Sequence, residues 1–319
     1  MTAPRSNLFI TGATGLVGTA VLQRLNPSHF GEIRLLHRRP LSVPDPLARA
    51  ANVTWVSGSL EDPSSYSAGV TDQTLVVHLA ARTGNASARE HDRVNRRATE
   101  DLLEVAVTAG AAAFVYVSTI AVVFGNRQAY PYAEAKARAE EAVRRAGIPY
   151  SIVRPTMVFG PGAPVWSALS SLATKPVVPV PGTGRVRVQP IWVTDLADAL
   201  IQIIREGRFH NETFELGGVD SVTMNELLGR MQQALRGTNH ARLVHVPVRP
   251  FLPCLRLMEA LLPFRPPATA GQFYSFLYDG TADPASGADG LQAPTWTLDQ
   301  MIRSLTSGSV VGDREHDAR

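Results

Sequence analysis

The segment "TGATGLVG", residues 11–18, follows the apolar run "NLFIT" and opens the amphipathic stretch "LVGTAVLQRL". Its three glycines, Gly12, Gly15 and Gly18, let the chain turn tightly and bring its main chain close to a ligand. The helix that follows offers free N–H groups and the positive end of its dipole, which are the requirements for holding a pyrophosphate. A strand before and a helix after separate a phosphate loop from a bare turn. Gly12, Thr14, Gly15, Leu16 and Val17 are therefore the expected contacts to a dinucleotide.

Such a loop needs a parallel sheet around it. The runs "IRLLH", "VTWVS", "TLVVHL", "FVYVS" and "YSIVRP" alternate with helical patterns near 16–25, 88–108 and 130–146. This predicts an α/β fold, a Rossmann-type doubly wound parallel sheet. After Arg154 the chain turns to Pro/Gly-rich loops, then "PIWVTDLADALIQII", read as a strand running into a helix capped by Asp195. Residues 1–160 are expected to form the dinucleotide-binding domain, with the chain returning to it at about 186–210. Residues 161–185 and 211–306 would form a smaller C-terminal substrate lobe, and 307–319 a tail without order.

Composition excludes several function classes. The 319 residues are 45% hydrophobic, enough for one large domain or a domain with a lobe. There are 31 basic and 28 acidic residues, and the arginine pairs Arg38/Arg39, Arg96/Arg97 and Arg144/Arg145 are scattered without interleaved aromatics, which argues against nucleic acid as a partner. Cys254 is the single cysteine and the eight histidines never take a ligand spacing, so no metal site is expected and a reducing, cytoplasmic setting fits. No run approaches the roughly 20 apolar residues of a membrane span.

The ribose end of the cofactor site lies where "EIRLLHRRP" finishes. Glu32 has the right count for an acidic ribose ligand but stands at the wrong end of this strand, about 16 Å away at roughly 3.3 Å per residue. His37, Arg38 and Arg39 stand at the useful end, where guanidinium groups meet a 2′-phosphate with charge-assisted bonds. NADP(H) is therefore favoured over NAD(H); the alternative reading is a solvated basic turn before Pro40.

Tyr132 and Lys136 in "YPYAEAKARAEEAV" are four apart and project from one helical face. A phenol with its ordinary pKa near 10 is a poor base, and a nearby ammonium is expected to lower that value. The pair meets the acid/base requirement for reducing or oxidising a carbonyl. A hydroxyl partner is sought upstream in "VSTIAVVFG", where Thr119 and Ser118 are the candidates.

Taken in order, these motifs resemble the extended short-chain dehydrogenases/reductases, the NAD-dependent epimerase/dehydratase family, over nearly the whole chain. The resemblance implies that Lys136 also holds the nicotinamide ribose. It implies further contacts from Ser59 and Leu60 in "GSL", where the family has Gly-Asp-Leu, from Leu79, Ala80 and Ala81 in "VVHLAA", and from Pro155 and Val158 in "RPTMVFGPG". Asn95 matches the family's helix asparagine. The family's catalytic hydroxyl falls five residues before Gly125, on Ile120; one extra residue, absorbed in a β-bulge, would make Thr119 the donor. Dehydratases carry an Asp-Glu pair where Ile120 and Ala121 stand, so dehydration is not expected. The family also implies a homodimer through the helices near 90–108 and 130–146. "LATKPVVPVPGTGRVRVQPIWVTDLADAL" is similar to a subgroup that includes an NADPH-binding accessory subunit of respiratory complex I.

On the substrate side the candidates are Phe159, Arg187, Gln189 and Trp192, and the apolar stretch "FLPCLRLMEALLPF" favours an aromatic, steroid-like or isoprenoid ketone. The expected activity is NAD(P)H-dependent reduction of a ketone or enone. A nucleotide-sugar epimerase retaining NAD and an NADPH-binding assembly protein without turnover are the alternatives.

Overall fold

In the computed structural model, residues 6–38, 47, 49–237, 242–247 and 270–312 are described. The glycine segment sits where β1 (Asn7–Thr11) passes into α1 (Leu16–Arg24). Strands β2 (Ile33–His37), β3 (Val53–Ser57), β4 (Thr74–His78), β5 (Ala113–Val117) and β6 (Tyr150–Pro155) coincide with the apolar runs to within a residue. The short strands β7 (Val158–Phe159), β8 (Val177–Pro181), β9 (Arg187–Val188) and β10 (Ile191–Trp192) follow, then β11 (Glu212–Leu216), β12 (Val222–Thr223) and β13 (Arg242–Val246).

The central sheet has seven parallel strands in the order β11-β6-β5-β4-β1-β2-β3. Its order reverses between β1 and β4, the place where a doubly wound sheet opens a crevice for a ligand. The seventh strand corrects the expected boundary, because Glu212–Leu216 pairs in parallel with β6 instead of joining the lobe. "ETFEL" buries only Phe214 and Leu216, so it reads as a half-exposed edge and not as an apolar run.

Helices cover both faces. On one, α1 packs with α6 (Val193–Glu206) over Leu8, Ile10, Leu35, Val77 and Val115. On the other, α3 (Ala98–Thr108) and α4 (Pro131–Arg145) bury Leu102, Ala106, Ala139 and Val143 against Phe9, Val76 and Phe114. The second helical pattern is interrupted: α2 (Ala88–His91) widens into a π-helical segment, Asp92–Arg97, before α3 begins. A separate apolar cluster joins α5 (Pro164–Ala173), α7 (Met224–Arg236) and α9 (Leu298–Gly312) through Trp166, Leu169, Leu227, Met231, Met301 and Ile302. Between these lies the short α8 (Ala270–Ser275). Helix α9 carries regular structure six residues into the stretch expected to lack it, while 251–264 lies outside the described residues.

Asp195 is not the cap of α6, which Trp192 begins; it stands in the first turn. Its carboxylate instead accepts from Thr295 N and Trp296 N at 3.0 and 3.1 Å and from Thr295 Oγ1 at 3.0 Å, fastening a segment a hundred residues away.

Candidate active site

The turn after β1 is built around what a Cβ would hit. Gly12 has φ +72°, and a Cβ there would collide with the main chain of Ala80. On Gly18, inside α1, it would collide with the Gly12 carbonyl and with Ala13, so the helix can rest on its own loop only without a side chain. Gly15 is less constrained, its added carbon lying 3.4 Å from the Gly12 oxygen. It caps α1 with no side-chain hydrogen bond, and the first turn holds no acidic residue. Thr14 and Gly15 are exposed, with Leu16 and Val17 half-buried behind them. Open N–H groups without a competing carboxylate fit a dinucleotide's pyrophosphate.

The other expected contacts gather around this loop. Leu79 N donates to the Thr11 carbonyl at 3.1 Å and Ala80 N to Thr11 Oγ1 at 3.4 Å, so Leu79–Ala81 passes beside the glycines. Pro155 ends β6, and the turn after Val158 reaches α1: a Cβ on Gly160 would lie 3.6 Å from a Leu16 methyl. Ser59 is spent locally, its hydroxyl accepting from Glu61 N at 3.3 Å and its N–H donating to Ser65 Oγ at 3.1 Å, with Leu60 buried beside it. At the end of β2, His37 stands edge-on to Trp55 and Arg38 is exposed; Arg39 lies outside the described residues. Glu32 precedes β2 and pairs with Arg34, at the far end of the strand from Arg38.

The candidate pair Tyr132 and Lys136 stands near the start of α4, and Lys136 reaches the end of β5. Lys136 is 1% exposed; its ammonium donates to the Val117 carbonyl at 2.7 Å and rests 4.2 Å above the Tyr116 ring. Burial pulls its pKa down to about 7, opposed by the Glu140 carboxylate. Tyr132 is half-buried, with His91 edge-on at 5.6 Å and Tyr130 at 5.7 Å. The expectation that Lys136 lowers its pKa is not met: burial first, then the Tyr130 phenol, pushes the Tyr132 phenol up. It is held as an acid.

Thr119 follows β5 and caps a 3₁₀ turn, Ile120–Val123, by accepting from Ala121 N at 3.3 Å. A hydroxyl accepting on a lone pair keeps its proton for a substrate oxygen. The expected β-bulge is not seen there; a 3₁₀ turn follows Thr119 instead. Ser118 is buried, 4% exposed. Asn95 lies in the π segment, 1% exposed, and its amide clasps Arg82 from both sides, accepting from N at 2.7 Å and donating to O at 2.9 Å.

Two buried layers behind the pair were not anticipated. His78 links Thr11 Oγ1 (2.6 Å) to Thr99 Oγ1 (2.9 Å) and stacks on Tyr116; burial, then the Lys136 charge, lowers its pKa to about 3. Glu140, one turn beyond Lys136, takes a bidentate bond from Arg154 at 2.9 and 2.7 Å, and Arg154 also binds Glu215 at 3.0 Å. The spacing 132, 136, 140 is one helical stripe, a signal present in the sequence.

Two substrate candidates are core residues: Phe159 is fully buried against Trp166, and Trp192, 3% exposed, stacks on Trp296 at 4.6 Å. Gln189 uses both ends of its amide on Gly218 O and Ala282 N, at 2.7 and 3.0 Å. Arg187 holds Ser221. All four serve the fabric of the lobe in this arrangement.

A doubly wound sheet with a glycine loop at its switch point defines the Rossmann-type dinucleotide-binding class. Within it the chain belongs to the NAD dependent epimerase/dehydratase family, whose model matches residues 8–217. The ceramide reductase of Caulobacter vibrioides is 31% identical over 205 residues, 64% of this chain and 62% of that protein. The mitochondrial NADH dehydrogenase (ubiquinone) 1 alpha subcomplex subunit 9 of Arabidopsis thaliana is 27% identical over 233 residues, 71% of this chain and 57% of its own length. The chain thus spans about three fifths of these two relatives. The crystal structure of a dTDP-glucose 4,6-dehydratase from Streptomyces venezuelae with NAD bound shares the fold, with a TM-score of 0.72 over 97% of this chain and 98% of that one at 18% identity. Among the described residues no helix is long and apolar enough to cross a membrane.

Proposed function

We propose that the protein is an oxidoreductase that prefers NADPH and reduces the ketone or enone group of a small, apolar or aromatic substrate. The observation that carries this reading is Tyr132, a phenol kept protonated by burial, on the same helical face as a buried Lys136, with Thr119 opening the turn that follows β5. A nicotinamide dinucleotide, when bound, supplies the hydride. Thr119 donates a hydrogen bond to the carbonyl oxygen, and Tyr132 Oη gives that oxygen its proton as the π pair of the C=O bond moves onto it. The phenolate left behind is stabilised by the Lys136 ammonium. Asn95 holds the Arg82 main chain at the mouth of the site.

Preference for NADPH is supported by exposed Arg38 at the ribose end of β2 and by Glu32 lying at the opposite end, already paired with Arg34. Fluorescence titration should show at least a tenfold preference over NADH, about 1.4 kcal/mol, lost in Arg38→Ala. NAD carried through purification would instead favour epimerisation. For the reaction, Tyr132→Phe should lower turnover of a reducible ketone by about 10²–10⁴-fold with NADPH affinity retained. Turnover that survives the substitution overturns the assignment.

A further inference from the structure

Aromatic side chains lie in two contacting groups between Tyr132 and the turn that follows Thr119, with α8 between the groups. Tyr132 touches Tyr130 at 5.7 Å between centroids. Tyr130 lies against α8, where a Cβ on Gly271 would come within 2.9 Å of its ring and 3.2 Å of Pro131. Helix α8 carries Tyr274, which meets Tyr278 at 5.5 Å with the two phenol oxygens 2.9 Å apart. Tyr278 stacks on Phe124 at 5.5 Å and 14° and covers Gly125, whose added carbon would lie 3.3 Å from the ring. Phe124 closes the 3₁₀ turn that Thr119 opens.

Every ring of the arc is half-buried, and Val123 beside Phe124 is 51% exposed. Aromatic faces left open together beside a reaction centre are a binding surface, because a core would have buried them. Among the described residues, the two arginines that flank Glu134 are already paired. Arg127 is committed to Glu134 and Glu141 at 3.2 and 3.6 Å, and Arg138 to Glu134 at 2.8 Å. One phenol hydrogen of the Tyr274–Tyr278 pair is spent on its partner. A nucleoside diphosphate needs cations and several donors; a flat uncharged ring needs faces and edges.

We propose that Phe124, Tyr130, Tyr274 and Tyr278 form a subsite for an aromatic or fused-ring body joined directly to the carbonyl that Tyr132 protonates. This inference rests on the reductase reading above and adds to it the shape of the substrate and the residues that select it. It also replaces the apolar stretch 251–264, which lies outside the described residues, as the ground for an oily substrate.

The test uses the full chain, NADPH and two probes of similar size: 2-acetylnaphthalene, a flat aryl ketone, and 2-undecanone, a flexible aliphatic one, with UDP-glucose as the polar control. NADPH consumption gives turnover, and equilibrium dialysis gives binding without reaction. The expected result is a kcat/KM at least tenfold higher for the aryl ketone, with the aryl-to-aliphatic ratio falling at least fivefold in Tyr278→Leu and restored in Tyr278→Phe. Aryl binding that weakens in Tyr278→Leu without any turnover supports the subsite and overturns the reductase reading. Equal turnover of both ketones by the unaltered protein, or tighter binding of UDP-glucose than of the aryl ketone, overturns the subsite; the first of these leaves the reductase reading standing. Because the unaltered protein alone gives the preference, a poorly folding variant does not shield the proposal.

Discussion

The nucleotide side and the substrate side of this molecule hold their residues by opposite means. Around β1 and α1 the main chain does the holding: Gly15 N donates to the Gly12 carbonyl at 3.0 Å, and Gly12 and Gly18 exist because nothing else fits. On the substrate side, long segments with little regular structure are fastened by carboxylates and amides reaching to distant N–H groups. Asp195 holds Thr295 and Trp296, Asp220 holds Leu298 at 2.7 Å, Glu215 holds Asp283 at 3.0 Å and Gln189 holds Ala282. The first design fails at any added carbon. The second tolerates change at most positions and depends on a few acceptors.

The largest effect should come from breaking the main-chain design. Gly18→Val places branched carbons into the Gly12 carbonyl, and dinucleotide affinity should fall by at least about a hundredfold, about 2.7 kcal/mol, in a fluorescence titration. Gly15→Ala, with its nearest neighbour 3.4 Å away, should stay within about tenfold. Similar losses at both sites would mean that the loop is not held as described. On the other side, Asp195→Ala removes a carboxylate with three hydrogen bonds and should cost about 2 kcal/mol of unfolding free energy in urea, leaving dinucleotide affinity untouched. A loss of affinity there would show that the two designs are coupled more closely than their hydrogen bonds indicate.

The contrast also explains what the sequence could reveal. A glycine loop is legible because its requirement is local: three residues without a Cβ between a strand and a helix. Tyr132 and Lys136 are legible because a helix has a fixed period. Thr119 was read from a count against the family's pattern, and the 3₁₀ turn that follows it has no marker in "TIAVV". Asp195 looked like a cap since its neighbours are the local context, whereas its partners are Thr295 and Trp296. Tyr278 gave no sign at all, because its stacking partner, Phe124, stands about 150 residues earlier in the chain, and Tyr274 meets Tyr278 in turn. Strand β11 was missed for a related reason: an edge strand alternates, and alternation in five residues is weak evidence.

The smallest effect probes the seam where the two designs meet, Glu140. Through Arg154 and Glu215 its carboxylate ties α4 to β6, β11 and the loop at Asp283, and it stands one turn from Lys136. Of the groups around Lys136, His78 stays neutral down to about 3, the Tyr116 and Tyr132 phenols are pushed up by burial, and Glu140 is held low by Arg154 against its own burial. The charge change near neutrality therefore belongs to Lys136, with a pKa of about 7. Its folded value lies below its ordinary 10.5, so between those values the unfolded chain binds a proton that the folded one has released. Stability from this group accordingly rises with pH from about 7 to 10.5, and the penalty is complete below 7. Affinity for a dinucleotide whose ribose meets the ammonium should run the other way, declining as pH passes 7. Glu140→Gln removes the charge that favours the ammonium and should move that decline to lower pH by about one unit, roughly 1.4 kcal/mol of interaction. Titrations of NADPH from pH 5.5 to 9 would show it; coincident curves for the two proteins would mean that Glu140 braces the seam without tuning Lys136.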